Sequence, residues 1–303
     1  MANLNLLTDN HAYVIFKPDT VFQNLESNIW EYFKKKNMQI LLKKFAYITR
    51  EKRKLLYRDF VISSRTNWDM GTEFYELGPA LHLILWGEYP KEFKSLSEYI
   101  SKSLKGNFIP EVAEPDTVRG KYNSLNPVFN LIHSSDSTEE SNEEMKIFFT
   151  EDELKKLHNQ MPSENLHLDK KQVTYLNFYD LFYGIKRYIV SSVQDEDNKR
   201  AYILFINDCV ASINGYGTLN KRSHNRFEQK EFFLQSLKYE REKYVNRISN
   251  NKLRDLLELL CDYHKFPHLD YHDLFSKLNL LGIVHTDWER YLIKTSMYYI
   301  TFR

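Results

Sequence analysis

Four short apolar runs constrain what this chain can fold into. AYVIF (12–16), ILLKKFAYI (40–48), ALHLILWG (80–87) and residues 128–132 are too short for buried helices and rich in branched or aromatic side chains. Each therefore predicts a strand. Lys17-Pro18-Asp19 stops the first, and Gly78-Pro79 introduces the third. Helical spacing fills the gaps. Ile29, Tyr32 and Phe33 share one face beside a lysine-rich one. Thr49 stands at an N-cap position ahead of EKRKLLYRDF, which predicts Leu55 and Leu56 inward. Ser95-x-x-Glu98 and Ser137-x-x-Glu140 read as capping boxes. The order β-α-β-α-β-α-β-α predicts an α+β sheet with helices on one face, of the split βαβ kind.

The texture changes near residue 160. QMPSENLHLDKK is polar and carries a proline, so the reading places a boundary there: a first domain over 1–160 and a second over 161–303. The second is mainly helical in pattern. Phe233, Leu237, Tyr244 and Ile248 form one stripe, LRDLLELL another, Gly282 a C-cap, and Thr286-x-x-Glu289 a capping box. AYILFI (201–206) admits a strand as well.

Composition narrows the function classes. The 42 basic and 41 acidic residues leave a net charge of +1, which argues against a dedicated nucleic-acid binder. Two cysteines, Cys209 and Cys261, make no disulfide framework. The N-terminus lacks a secretory pattern, and no run approaches the ~20 apolar residues of a membrane span. A soluble, cytoplasmic protein is expected.

His133 ends the fourth apolar run, just ahead of a helix start near Thr138. A histidine there is often structural. Helix N-termini, however, present unpaired N–H groups that suit a phosphate. A neutral imidazole beside a phosphate is a plausible nucleophile if a second group orients it. Glu144, one to two turns into the helix, is a candidate orienter. Arg119, in a turn, suits a phosphate as a fork donor, and Lys17 sits at a strand end.

Six stretches, in order, resemble the nucleoside diphosphate kinases: VIFKPDTV (14–21), LLYRDF (55–60), GPALHLILWGE (78–88), EPDTVRG (114–120), NLIHSSDS (130–137) and FFTEDEL (148–154). The resemblance implies a ferredoxin-like α/β sandwich over the first domain. It implies ATP or another nucleoside triphosphate as donor, Mg²⁺ on the nucleotide phosphates rather than a protein metal site, and a phosphohistidine at His133. Lys17 would contact phosphate and ribose, Tyr57 would position histidine and phosphate, Arg119 would bind phosphate, and Asn130 would contact the sugar. Ser135 and Glu144 would support the imidazole. A homo-oligomer is implied too.

The departures point to a rebuilt nucleotide cradle. The family's phosphate-binding arginine aligns with Lys102, which loses the bidentate fork. Its phosphate-binding threonine aligns with Phe108. Thr20 stands where the family usually has glycine. The base-stacking segment reads VISSRTNWDMGTEFYE, with Trp68 or Phe74 as candidate stackers. Three functions are compatible: transfer to an ordinary nucleoside diphosphate, transfer to a non-standard small-molecule acceptor, or nucleotide binding for regulation without catalysis. In the second domain Cys261, His264, His268 and His272 have spacings open to a metal site, although Pro267 interrupts them. Scattered surface histidines are the plainer reading. The loop NGYGTLNKRSHNR (214–226) could close over a phosphate or touch RNA, or simply be solvated.

Overall fold

The computed structural model describes residues 6–57, 70–159, 162–166, 168, 171–218 and 225–301. The chain forms two compact units, Met1–Tyr175 and Leu176–Arg303.

The first unit is ferredoxin-like. Its strands are β1 (His11–Phe16), β2 (Gln39–Ala46), β3 (Ala80–Trp86) and β4 (Ile132–Ser134), in the order β2-β3-β1-β4. Every neighbouring pair is antiparallel. The central strands β1 and β3 are buried on both faces, which explains their unbroken apolar runs. The helices are α1 (Pro18–Phe22), α2 (Glu26–Lys34), α3 (Arg50–Leu56), α4 (Leu96–Tyr99), α5 (Val118–Lys121), α6 (Thr138–Phe148) and α7 (Glu151–Lys155). Ile29, Trp30 and Phe33 of α2 pack on Val14, Phe16, Leu83 and Leu85 in one core. Burying side chains of this size stabilises by roughly 1.5–3 kcal/mol each relative to exposure.

Two expectations shift. The fourth strand is Ile132–Ser134 rather than 128–132, so His133 lies inside it. Asn126 explains the change, because its Oδ1 accepts the N–H groups of Val128 and Phe129 at 2.9 and 3.0 Å and bends that stretch into a loop. In α3, Leu56 is buried but Leu55 is 61% exposed. Arg53 and Leu56, three apart, share the inward face and turn Leu55 to solvent. Thr49 does cap α3, accepting from Lys52 N–H.

The first unit also runs past residue 160. Ser163 exchanges two backbone hydrogen bonds with Ile40 on the β2 edge, and Trp30 Nε1 donates to Glu164 O at 2.9 Å. Leu166 is buried in the same core, and Thr174 N–H reaches Gln23 O. A polar composition suggested a linker here; edge pairing and three apolar side chains, Leu166, Leu168 and Val173, tie it down instead.

The second unit is helical: α8 (Phe178–Ser191), α9 (Glu196–Thr218), α10 (Asn225–Lys243), α11 (Asn251–Leu259), α12 (Tyr271–Leu280) and α13 (Asp287–Tyr299). AYILFI lies within α9. Tyr202, Ile206, Cys209 and Ile213 are buried at helical spacing, and that period, not the local β-propensity, prevails. Phe178, Phe182, Tyr183 and Phe233 make one aromatic cluster. Gly282 takes φ +81° just past α12, as its C-cap role requires. Thr286 and Glu289 form the predicted reciprocal box. No helix among the described residues is long and apolar enough to cross a membrane.

Candidate active site

The site begins with a strained residue. Leu131 adopts φ +72°, which side-chain-bearing residues rarely do. The turn after β1 holds it there. Lys17 N–H and Thr20 Oγ1 both donate to Leu131 O, at 2.8 and 2.7 Å, and Asp19 Oδ2 accepts Leu131 N–H at 3.0 Å. Both backbone polar groups of Leu131 are thus satisfied by the KPDT turn. Sequence reading did not assign roles to Asp19 or Thr20; the Thr20 departure supplies a hydroxyl to this clamp.

Two residues later His133 projects from β4. Its Nε2 lies 2.9 Å from Glu144 Oε2, on α6, and Ser135 Oγ donates to the same oxygen at 2.5 Å. The Tyr57 ring meets the imidazole edge-on, with centroids 5.3 Å apart. The Tyr57 hydroxyl lies 2.7 Å from that of Tyr75, and burial pushes its pKa up to about 12. In the tautomer whose Nε2–H donates to the Glu144 carboxylate, the imidazole's lone pair resides on Nδ1. His133, Glu144, Ser135 and Tyr57 therefore come together.

Two basic side chains hold the stretch that leads to His133. Lys17 Nζ donates to Val128 O at 2.6 Å and to Asn130 Oδ1 at 2.8 Å, above the Phe74 ring. Burial lowers the Lys17 pKa to about 7, against the pull of the Asp19 carboxylate, and burial raises Asp19. Arg119 donates from Nε to Asn130 O, from Nη1 to Gly106 O and from Nη2 to Ile132 O, all within 3.0 Å. Its burial pushes its pKa down, though a guanidinium keeps its proton across the working pH range. Lys17, Asn130 and Arg119 are thus one connected group.

Other expected residues lie apart. Lys102 is 65% exposed and pairs with Glu98 at 2.6 Å. Phe108 is 45% exposed. Phe74 is fully buried against Phe129, so it offers no face to a base. Trp68 falls outside the described residues, as do 219–224; of the expected loop over 214–226, residues 214–218 instead end α9 and 225–226 begin α10. At the α6 N-terminus Ser137 Oγ accepts the Glu140 N–H, and the Glu140 carboxylate accepts the Asp136 N–H ahead of the cap. With Glu139 and Glu140 in its first turn, it does not favour an anion. In the second unit Cys261 is buried beside Lys186, whereas His264, His268 and His272 are exposed and do not converge on it. Among the described residues no cluster of His, Cys, Asp or Glu could hold a metal ion.

The split βαβ sheet thus presents a histidine against a carboxylate, with two buried basic side chains bonded to the chain just before it. Residues 10–154 match the family described as nucleoside diphosphate kinase. Nucleoside diphosphate kinase of Sulfurisphaera tokodaii is 32% identical over 143 residues, covering 47% of this chain and 90% of that protein. That of Thermoplasma volcanium is 33% identical over 145 residues, covering 48% and 92%. An apo crystal structure of the Encephalitozoon cuniculi enzyme is 25% identical, covering 47% of this chain and 90% of its own, with a TM-score of 0.41. The chain belongs to the nucleoside diphosphate kinase family.

Proposed function

We propose that this protein is a nucleotide phosphotransferase that carries the γ-phosphate of a nucleoside triphosphate through His133 to a nucleoside diphosphate or related acceptor. The observation that carries the reading is the Glu144–His133 contact, which reserves Nδ1 for attack. In the first half-reaction Nδ1 bonds to the γ-phosphorus as the bond to the β-bridging oxygen breaks, releasing nucleoside diphosphate. In the second an acceptor's terminal phosphate oxygen attacks the phosphohistidine and frees the imidazole. Glu144 and Ser135 hold the ring, while Lys17 and Arg119 offer their N–H groups to phosphate oxygens. Such transfer depends on positioning and charge neutralisation. Mg²⁺ fits as a companion of the nucleotide, whose own oxygens would be its ligands, and it would neutralise phosphate charge there.

The outward Lys102 and the exposed Phe108 favour a second reading, in which the acceptor is a non-standard small molecule. Incubation with γ-³²P-ATP, acid and alkali treatment, and a chase into nucleoside diphosphates test both. An acid-labile, alkali-stable label absent from His133→Ala is expected. A label that persists in that variant would refute the histidine route, and a label that no nucleoside diphosphate discharges would favour the second reading.

A further inference from the structure

Lys105 takes no part in the roles assigned above, yet it stands at the same place. A wide turn runs over 100–104, closed by Lys105 N–H on Ile100 O at 2.8 Å. Such i→i+5 turns shift the register of the side chains that follow and recur at functional sites. Here the turn leaves Lys102 in solvent and carries Lys105 inward, with 15% of its side chain exposed. Lys105 Nζ donates to Ser134 O at 3.3 Å and lies 3.3 Å from Asp136 Oδ1. Arg119 donates to Ile132 O. Ile132 and Ser134 flank His133 on β4, which ends the sheet, so two cations cap the carbonyls on either side of the candidate nucleophile. Burial lowers the Lys105 pKa, with Asp136 opposing. Its three donors have two named partners, one of them the 68% exposed Asp136 side chain, which solvent can take over.

We propose that Lys105 is a phosphate-binding residue of this site, exchanging Asp136 for an oxygen of the transferring phosphoryl group and supplying the charge that Lys102 does not bring. The proposal rests on the phosphotransferase reading. It assigns substrate binding to a residue that alignment with Lys102 passes over.

The test titrates ATP into the full chain by calorimetry and times ³²P labelling for the wild type, Lys105→Met, Lys105→Arg and Lys102→Met. A charge-assisted bond to phosphate predicts that Lys105→Met weakens ATP binding and slows labelling on the order of tenfold. Lys105→Arg should regain most of that, and Lys102→Met should lose less. Wild-type affinity and rate in Lys105→Met overturn the proposal. So does a larger loss in Lys102→Met, or a loss that Lys105→Arg leaves unrestored and that accompanies a lowered Tm. Repeating the titration in His133→Ala separates the two readings. If the wild type takes no label but Lys105→Met still weakens ATP binding, only the phosphohistidine reading fails. If the wild type does not bind ATP, both fail.

Discussion

Lys17 makes the pH dependence of nucleotide binding calculable. Burial brings its pKa down to about 7, so above neutrality the free site holds mostly neutral amine. A bound triphosphate favours the ammonium, so binding takes up a proton. The sign follows: affinity falls as pH rises. Between pH 7.5 and 9 the charged fraction of a group with this pKa drops about 20-fold, and ATP affinity should fall by about the same factor. At pH 8 binding should take up about 0.9 proton. The window lies above the second ionisation of a phosphate, near about 6, so the ligand's own titration contributes little. Calorimetry in buffers of different ionisation enthalpy reads the proton count, and its Kd reads the slope. Lys17→Arg keeps a charge that does not titrate in this range and should flatten the dependence. A flat wild-type profile would refute the reasoning, as would a slope that survives unchanged in Lys17→Arg.

Two further outcomes follow from particular contacts. Glu144→Ala removes the acceptor that holds His133 Nε2 and should slow labelling by roughly 10–100-fold while leaving the Kd for ATP near that of the wild type; quench-flow kinetics check it. In the second unit Lys186 Nζ pairs with Glu240 Oε2 at 2.7 Å, and both side chains are fully buried. Burial alone would lower the Lys186 pKa, but Cys261 and Glu240 together raise it. Glu240→Ala strands that ammonium and should cost roughly 3–5 kcal/mol, whereas Lys186→Met with Glu240→Leu should cost much less. Urea unfolding of the three proteins decides, and equal losses would count against an uncompensated charge.

Much of the first unit was legible because its signals are local. Apolar runs marked β1, β2 and β3 to within two residues, and the caps at Thr49, Ser95 and Ser137, like that at Thr286 in the second unit, are short-range hydrogen bonds written in nearby residues. The pairing of His133 with Glu144 was also readable, since a strand, a tight turn and the first turns of a helix set their distance. Wherever the deciding partner is remote in sequence, the reading failed. Leu131 is held in its left-handed conformation from Lys17, Asp19 and Thr20, more than a hundred residues away. Phe74 is lost to base stacking because Phe129 and Lys17 close over it. The stretch after 160 looks like a linker until the β2 edge and the α2 face receive it.

The sequence by itself determined the order of strands and helices, the two textures of the chain and the histidine with its orienting carboxylate, because periodicity and capping act over a few residues. Tertiary structure alone decided which lysine turns inward to the strand that carries His133. One wide turn at 100–104 rotates the side chains after it, and side-chain direction beyond such a turn depends on packing that no local pattern records.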